Sequence, residues 1–335
     1  MSDNENKGIL IYAQLSRNFE VLSVVSELAS EAQKLAEKLD GEPVSAVVLT
    51  DETNIDNIKN TLQNSGFDRV YILKNKQFKE YSTDIYSKVI IDLVKETSPS
   101  IMLFGATTQG RDLAPVAAAA LNTGLTADCT GLDINEKGKL AATRPTFGGN
   151  LMATILCKNY PQMATVRPKV LQIENVQIKN TEFIERYIDL NNLNSRTKII
   201  DFIKNVQDTG VTLNDADIIV AGGKGVKNEN GFNKLKELAV LLNGVVGATR
   251  GAVDMGLAES SMQIGQTGKT VCPKLYIAVG ISGAIQHQVG MCSSKKIIAI
   301  NSDENAPIFD IADVGIVGDL NVIIPELINE LKNRK

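Results

Sequence analysis

The chain has 335 residues, of which 43% are hydrophobic and 22% charged, and its net charge at pH 7 is −4. A single hydrophobic core seldom grows beyond about 250–300 residues, so this length predicts two domains. The negative charge, the absence of Trp and the 5% of aromatic residues exclude a broad nucleic-acid-binding surface. No apolar run approaches the roughly 20 residues of a membrane span, so no membrane insertion is expected.

The cysteine and histidine content indicates that the protein has no metal centre. The cysteines Cys129, Cys157, Cys272 and Cys292 form no CxxC pair, and the only histidine is His287. Zinc and iron–sulfur sites need several such ligands at short spacings. Reduced thiols, together with the polar amino-terminal run MSDNENKG, are typical of a cytoplasmic protein.

Strands and helices alternate in the first half of the chain. Short apolar runs predict strands, and apolar residues at helical spacing predict helices. In chain order the predicted elements are strand Gly8–Ala13, helix Val21–Leu39, strand Val44–Leu49, helix Ile55–Gln63, strand Val70–Leu73, helix Asp84–Lys95 and strand Ile101–Phe104. This alternation is typical of parallel βαβ units, in which helices cover both faces of a sheet.

The pattern changes after the last of these strands. A helix rich in small residues is predicted to begin at Arg111 and Asp112. The segment Leu140–Arg167 resembles short antiparallel strands that extend the parallel sheet at its edge. Arg144 and Arg167 are each followed by proline. They either bind an anion or a partner chain, or are solvated arginines of an edge strand.

A polar stretch separates the two predicted domains. Residues Gln172–Lys198 are charged and weakly periodic, and we place the boundary near Asn194–Thr197. The prediction is therefore an amino-terminal α/β domain, residues 1–195, and a second domain, residues 196–335, that ends in a helix.

The alternation of strands and helices resumes in the second half. In chain order the predicted elements are strand Ile218–Ala221, helix Asn233–Leu242, strand Val245–Ala248, strand Leu275–Val279, a helix beginning at Ser282, strands Lys296–Ile300 and Val314–Val317, and a last helix with Pro325 in its first turn. The fold class is therefore α/β, with two domains that each contain an open, mostly parallel sheet flanked by helices.

Three motif-like fragments fail on their spacing. The run GGKG after the first strand of the second half lacks the third glycine of a dinucleotide fingerprint, because Asn228 stands there. The run GKT at 268–270 lacks the first glycine of a P-loop, because Gln263 occupies that position. Ser282 and His287 lack the GxSxG turn of a hydrolase nucleophile. We therefore assign no catalytic residue.

Polar side chains follow the predicted strands of the second half. Arg250, Ser282, His287, Asn301 and Asp319 each come after the end of a strand. Ligands of parallel α/β sheets bind outside the carboxyl ends of the strands. The arrangement predicts one extended ligand of about the length of a dinucleotide. Taken alone, a single histidine is more often a structural residue whose ring is satisfied within the protein than a functional one, and it is the position of His287 after a strand end, with Ser282 and Gln286, that favours a ligand contact.

Two runs of the second half resemble the signature of the electron transfer flavoprotein alpha subunit: QIGQTGKTVCPKLYIAVGISGAIQHQVGM and AINSDENAPIFDIADVGIVGDL. Two runs of the first half, GATTQGRDLAPVAAAALNTGLTADCTGL and RPTFGGNLMATI, resemble the same family. The resemblance implies that the second domain is a Rossmann-like (DHS-like) FAD-binding domain and that the first contacts a beta subunit. The family's FAD contacts fall here on Lys224, Thr249, Arg250, Ile264, Gly265, Gln266, Thr267, Ser282, Gly283, Ala284, Ile285, Gln286, His287, Asn301, Asp319 and Leu320.

The resemblance also implies roles around the flavin ring. Arg250 and Thr267 are expected on its N5 side and His287 on its N1/O2 side, where hydrogen-bond donors favour the uptake of single electrons. One position departs from the family, which usually has arginine where this chain has Lys224. Lysine keeps the charge but loses the bidentate contact with a phosphate. Thr249 keeps the hydroxyl of the serine found in many relatives.

The expected function is that of an electron carrier rather than a stand-alone enzyme. The resemblance implies transfer of single electrons between a dehydrogenase, in particular acyl-CoA dehydrogenase, and another redox partner. Family members from anaerobes also bifurcate electrons from NADH toward ferredoxin and an acyl-CoA. The alternative is a nucleotide-dependent α/β enzyme, either an NAD-dependent oxidoreductase or an ATP-pyrophosphatase-like protein. His287 is the acid–base residue that the chain offers for such chemistry.

Overall fold

The computed structural model describes residues 6–146, 151–173, 177–191, 195, 197, 199–200, 212–213 and 216–334. The chain divides into two compact units, Met1–Thr146 with Met152–Phe202, and Phe147–Leu151 with Ile203–Lys335. Of the predicted boundary at 194–197, positions 194 and 196 lie outside the described residues. Within the described ranges, no helix is long and apolar enough to cross a membrane.

The elements up to residue 187 form the two sheets of the first half. In chain order they are β1 (Ile9–Tyr12), α1 (Ser23–Glu37), β2 (Val44–Thr50), α2 (Ile55–Gln63), β3 (Arg69–Lys74), α3 (Thr83–Thr97), β4 (Ile101–Gly105), α4 (Thr108–Ala120), β5 (Leu125–Cys129), β6 (Gly131–Ile134), β7 (Leu140–Thr146), β8 (Leu151–Leu156), β9 (Gln162–Val166) and β10 (Glu182–Tyr187). Seven strands form a parallel sheet in the order β10-β3-β2-β1-β4-β9-β5. Strands β6, β7 and β8 form a separate sheet.

The alternation along β1 shows how the seven-stranded sheet is covered on both faces. Ile9 and Ile11 lie in the core that contains the buried residues of α1. Leu10 and Tyr12 lie in the core that contains those of α3 and α4. Successive side chains of a strand point to opposite faces, so a strand covered on both sides must be apolar throughout. The predicted α/β class with parallel sheets flanked by helices is confirmed.

The prediction that Leu140–Arg167 extends the parallel sheet with antiparallel edge strands is wrong. Strands β7 and β8 lie in the separate sheet. Strand β9 is an interior strand that pairs in parallel with β4 on one side and β5 on the other, and all five of its residues are buried. The run QMATV is short and has no charged residue, which suits a strand buried on both faces.

Strand β10 falls inside the segment that was predicted to be a linker. It pairs in parallel with β3 along its whole length and forms one edge of the seven-stranded sheet. The charged residues of this strand form ion pairs. Glu185, for example, contacts both Lys59 and Lys74. Polar and charged side chains are common on edge strands. Because this strand contains no apolar run, the sequence pattern did not predict it.

The arginines that the sequence singled out are placed differently from each other. Arg167 is buried, with 8% of its surface exposed, so the alternative of a solvated edge-strand arginine is wrong for this residue. Its guanidinium lies 3.9 Å from the carboxylate of Asp128, which also receives two hydrogen bonds from Arg111 at 2.9 and 3.1 Å. Arg144 is half-buried in β7. Helix α4 begins before Arg111, because Thr107 accepts a hydrogen bond from the backbone of the first turn.

The described residues of the second unit contain one sheet. Its elements are β11 (Ile218–Gly222), α5 (Glu229–Leu241), β12 (Val245–Ala248), α6 (Arg250–Asp254), β13 (Leu275–Val279), α7 (Ile285–Gln288), β14 (Ile297–Asn301), β15 (Val314–Val317) and α8 (Leu320–Asn333). The five strands are parallel in the order β12-β11-β13-β14-β15, so their carboxyl ends share one edge. The chain leaves β11 toward one side and continues from β13 toward the other. The topological switch point therefore lies between β11 and β13.

Three helix starts in the second unit differ from the prediction. Helix α5 begins at Glu229 rather than Asn233, because the side chain of Asn228 accepts a hydrogen bond from the Gly231 amide and caps the helix earlier. Helix α7 begins at Ile285 rather than Ser282 and is four residues long, because Gly283 has a φ of +88° that no helical residue adopts. Helix α8 begins at Leu320, so Pro325 lies inside it and not in the first turn. The side chain of Asp319 accepts a hydrogen bond from the Asn321 amide and starts the helix earlier.

We expect Gly110→Ala to destabilise the first unit by about 1–3 kcal/mol or more, because the added methyl group overpacks the start of α4. A Cβ atom on Gly110 would lie 1.9 Å from the carbonyl oxygen of Gly105 at the end of β4. Gly138→Ala is the matched control, since its φ is +67° and nothing lies within 4 Å of the added atom. Its cost is limited to about 1 kcal/mol of backbone strain. The urea unfolding midpoint of the full chain measures both, and equal midpoints would contradict the prediction.

Candidate cofactor-binding site

The loops that follow β11 and β13 lie directly against each other at the switch point. The Gly223 amide donates to the carbonyl of Val279 at 2.9 Å, and the Gly225 amide donates to that of Gly280 at 3.0 Å. A Cβ atom on Gly223 would lie 2.2 Å from the Gly280 oxygen, and one on Gly225 would lie 2.8 Å from the Gly280 Cα. These positions therefore require glycine, and together they form the floor of a crevice at the edge of the sheet.

The segment that follows this crevice, Ser282–Gln286, is exposed except at Gly283. In the part of the chain that the structure describes, no acceptor is bonded to the amides of Ser282–Gln286. The segment is fixed from behind, because the Ser282 carbonyl accepts from Ile308 at 3.0 Å and a Cβ atom on Gly283 would lie 2.2 Å from the same amide nitrogen. A row of fixed, unpaired N–H groups is suited to bind an anion such as a pyrophosphate.

Two exposed cations lie beside the crevice, at the ends of β11 and β12. Arg250 begins α6, its side chain is 70% exposed, and its Nε lies 3.5 Å from the equally exposed Asp254 carboxylate. The aliphatic part of Lys224 lies across Gly251, where a Cβ atom would be 2.6 Å from the lysine Cε. Because exposed ion pairs are weak, Arg250 can turn from Asp254 to a ligand. Thr249 has a different function, because its hydroxyl accepts from Ala252 and caps α6.

The loop from Ile264 to Thr267 is held between β12 and α7. The Ile264 amide donates to the Ala248 carbonyl at 2.9 Å, at the end of β12. The Gln266 amide donates to the Gln286 carbonyl at 2.7 Å, in α7. The side chains of Gln266 and Thr267 are exposed. The loop therefore places two polar side chains on a backbone that the sheet and the helix fix from both ends.

Among the predicted site residues, His287 differs most from the expectation. Its ring is buried, with 6% of its surface exposed. Nδ1 lies 3.1 Å from the Ile264 carbonyl oxygen, and Nε2 lies 3.0 Å from the hydroxyl of Tyr276. Burial lowers the pKa of the ring to about 4, so the ring is neutral at pH 7. Both ring nitrogens are used within the protein, as in the structural alternative that the sequence left open.

The residues at the far end of the sheet are partly engaged with the protein. The Asn301 amide donates to the Ile281 carbonyl at 2.8 Å and so ties β14 to the loop after β13. Asp319 is exposed, and its bonds from the Asn321 amide groups lower the pKa of its carboxyl. Leu320 is half-buried and packs against the core of the second unit. Both of these bonds go to Oδ1 of Asp319, so that within the described residues Oδ2 has no hydrogen-bond partner.

The structure thus brings the residues expected from the resemblance to one edge of the second sheet. Several have exposed side chains: Lys224, Arg250, Gln266, Thr267, Ser282 and Gln286. Sequence reasoning missed the contact of Gly223 with Gly280, although the run GGKG and the run VGISG were its visible signals. It also missed Tyr276, because an aromatic residue inside a buried strand gives no sign that its hydroxyl has a special partner.

Comparison with known proteins identifies the family. Residues 9–187 match the family model of the electron transfer flavoprotein domain, and residues 212–292 match that of the electron transfer flavoprotein FAD-binding domain. The chain is 50% identical over 334 residues to the electron transfer flavoprotein subunit alpha of Thermoanaerobacterium thermosaccharolyticum, which covers 99% of this chain and 100% of the relative. It is 46% identical to the corresponding subunit of Clostridium acetobutylicum, with 99% of each chain covered.

A third relative has a different name. The acryloyl-CoA reductase electron transfer subunit beta of Anaerotignum propionicum is 40% identical over 362 residues, with 99% of this chain and 97% of the relative covered. None of these similarities supports the alternative of a nucleotide-dependent enzyme.

The geometry fits the cofactor that the second family match implies. The matched region contains the glycine crevice, the unpaired amides of Ser282–Gln286 and the cations Lys224 and Arg250. Amide donors and positive charge are the groups that bind a pyrophosphate. The chain therefore belongs to the electron transfer flavoprotein family as an alpha subunit, and its second unit is an FAD-binding domain.

Proposed function

We propose that this chain is the FAD-binding alpha subunit of a heterodimeric electron transfer flavoprotein in the cytoplasm. With a beta subunit, it carries single electrons between a dehydrogenase, in particular acyl-CoA dehydrogenase, and a second redox partner. The observation that supports the placement of the cofactor best is the row of unpaired amides at Ser282–Gln286, beside the glycine crevice and two exposed cations. When bound, FAD supplies the redox chemistry, because its ring can take up one electron at a time.

In this proposal, different residues along the sheet edge bind different parts of FAD. The amides of Ser282–Gln286 bind the pyrophosphate as fixed donors, and Lys224 adds one positive charge to them. The free carboxylate oxygen of Asp319 accepts hydrogen bonds from hydroxyl groups of the ribityl or ribose part. Asn301 holds the loop after β13 through its bond to Ile281, and Leu320 supplies apolar contact. Binding by preformed donors needs little rearrangement of the protein.

In this proposal Arg250 and the loop from Ile264 to Thr267 would hold the flavin ring. Arg250 would supply an exposed positive charge, which favours electron uptake by the ring. Thr267 offers its hydroxyl and Gln266 its amide to the polar edge of the ring. Thr249 keeps α6 in place, so that Arg250 is presented from a fixed turn. The protein thus tunes the potential through donors and charge, without an acid–base residue.

A second candidate function is electron bifurcation, with NADH as donor and ferredoxin and an α,β-unsaturated acyl-CoA as acceptors. The observation that favours it is the similarity over nearly the full length to a relative named as the electron transfer subunit of an acryloyl-CoA reductase. The test is to mix the heterodimer with NADH, ferredoxin and an acyl-CoA dehydrogenase. Ferredoxin reduction that requires the acyl-CoA substrate supports bifurcation, and NADH oxidation independent of ferredoxin contradicts it.

The first prediction concerns the purified complex. We expect the full chain mixed with a beta subunit to form a yellow heterodimer, with at least one FAD that accepts electrons singly. Visible absorption and a flavin count per heterodimer measure this. The comparison is the full chain carrying Gly223→Val, in which the added side chain would collide with the Gly280 backbone, so that the two loops could no longer meet and FAD binding would be lost. A colourless complex that turns over nicotinamide would contradict the proposed function.

The second prediction concerns Arg250. With FAD retained, Arg250→Ala is expected to lower the first one-electron reduction potential by roughly 60–130 mV, which corresponds to the loss of one charge-assisted hydrogen bond of about 1.5–3 kcal/mol. Potentiometric titration of the heterodimer measures the potential. Arg334→Ala is the matched control, because Arg334 also forms an exposed i,i+4 ion pair but lies at the far end of α8. An unchanged potential in Arg250→Ala would disprove its assignment to the ring.

A further inference from the structure

Tyr276 has a polar contact that its position in the fold does not require. It lies in the interior strand β13 and is fully buried, with 0% of its surface exposed. An aromatic residue could fill this part of the core as phenylalanine does in many strands. Its hydroxyl is instead 3.0 Å from Nε2 of His287, which lies in α7. A buried tyrosine hydroxyl without a hydrogen-bond partner would lower the free energy of unfolding. The Nε2 atom of His287 supplies the partner that the Tyr276 hydroxyl needs.

The directions of the hydrogen bonds follow from the chemistry of the partners. The Ile264 carbonyl can only accept, so Nδ1 of His287 carries the proton and donates to it over 3.1 Å. Nε2 of the neutral ring is then an acceptor, and the Tyr276 hydroxyl donates to it. The two bonds run in one direction from the strand to the loop. The bond to the Ile264 carbonyl is therefore compatible with only one tautomer of the ring, and in that tautomer the Tyr276 hydroxyl can bond to Nε2 only as the donor.

The contact on Ile264 reaches the part of the chain that carries the exposed polar side chains. Ile264 is buried, and the next residue, Gly265, has a φ of +140° and would place a Cβ atom 2.8 Å from the Gln286 oxygen. Gln266 and Thr267 follow directly. The orientation of the Ile264 carbonyl therefore sets the course of the backbone on which these side chains stand.

We propose that Tyr276 is a positioning residue for FAD, which fixes the orientation of the His287 ring and through it the loop from Ile264 to Thr267. The ring of His287 supports this loop from behind, and Tyr276 anchors the ring to the sheet. The proposal rests on the proposed placement of FAD against this loop. It adds that Tyr276, a buried residue that would not contact FAD itself, supports this loop through His287.

The decisive variant is Tyr276→Phe in the full chain, with Tyr86→Phe as the matched control. Tyr86 is also buried, and its hydroxyl donates to the Phe78 carbonyl at 2.8 Å, but it lies in the first unit. Tyr276→Phe is expected to weaken FAD binding by about tenfold, the effect of one net neutral hydrogen bond. Tyr86→Phe is expected to leave FAD binding unchanged. Equal FAD affinity in Tyr276→Phe and the wild type would overturn the proposal.

A second readout is independent of flavin binding. His287 is the only histidine of the chain, so nitrogen-15 labelling of histidine gives an NMR signal of this ring alone. The wild-type ring is expected in the Nδ1–H form and neutral down to a pKa of about 4. Tyr276→Phe is expected to raise this pKa, because the lost hydrogen bond favoured the neutral ring. A wild-type ring in the Nε2–H form, or one whose signal is the same in Tyr276→Phe, would overturn the proposal.

Two further outcomes are separable. If Tyr276→Phe does not fold, His287→Asn and His287→Ala replace it, because an asparagine amide near the Nδ1 position can still donate to Ile264. A higher FAD affinity in His287→Asn than in His287→Ala supports the positioning role, and equal loss overturns it. If the wild-type chain binds no FAD, the proposed function fails as well. If FAD binds equally to all variants, only the role of Tyr276 fails.

Discussion

The close approach of the loops after β11 and β13 is the constraint on which the ligand edge of the second unit depends. Gly223 and Gly280 meet so closely that a single Cβ atom would lie 2.2 Å from a carbonyl oxygen. Because these loops pass each other without side chains, backbone amides rather than side chains line the crevice. In the described part of the chain, the N–H groups of Ser282–Gln286 beyond this crevice have no bonded acceptor, and we propose them as the fixed donors for FAD.

The site separates charge from buried structure. The exposed cations Lys224 and Arg250 lie at the surface, where charge costs little and can meet a ligand. Below them, Tyr276 and His287 form a buried pair without charge, since burial keeps the histidine neutral at pH 7. A neutral frame avoids the desolvation cost of a buried ion and holds one geometry through directional hydrogen bonds. In the proposed function, the surface charge tunes the cofactor, while the buried pair holds the loop from Ile264 to Thr267 in position.

The sequence predicts the fold well where a strand is apolar and its end is marked by glycine or a polar residue. Strand β13 ends at Val279 as predicted, because Leu275–Val279 is apolar and Gly280 follows it. Strand β10 was not predicted, because its charged residues are used in ion pairs of an edge strand. The start of α7 was misplaced because the φ of Gly283 depends on its contact with Ile308, which is remote in sequence.

The strand ends in the sequence were enough to propose where the ligand edge lies. They were not enough to predict the hydrogen-bond partners and the burial of each side chain there. Nothing in the spacing of the sequence shows that both nitrogens of His287 are bonded, because one partner lies 11 residues and the other 23 residues away. The most direct test of the account is hydrogen–deuterium exchange of the full chain with and without FAD. The amides of Ser282–Gln286 are expected to exchange fast without FAD and to be protected when FAD is bound. Bound FAD without protection of this segment would contradict the account.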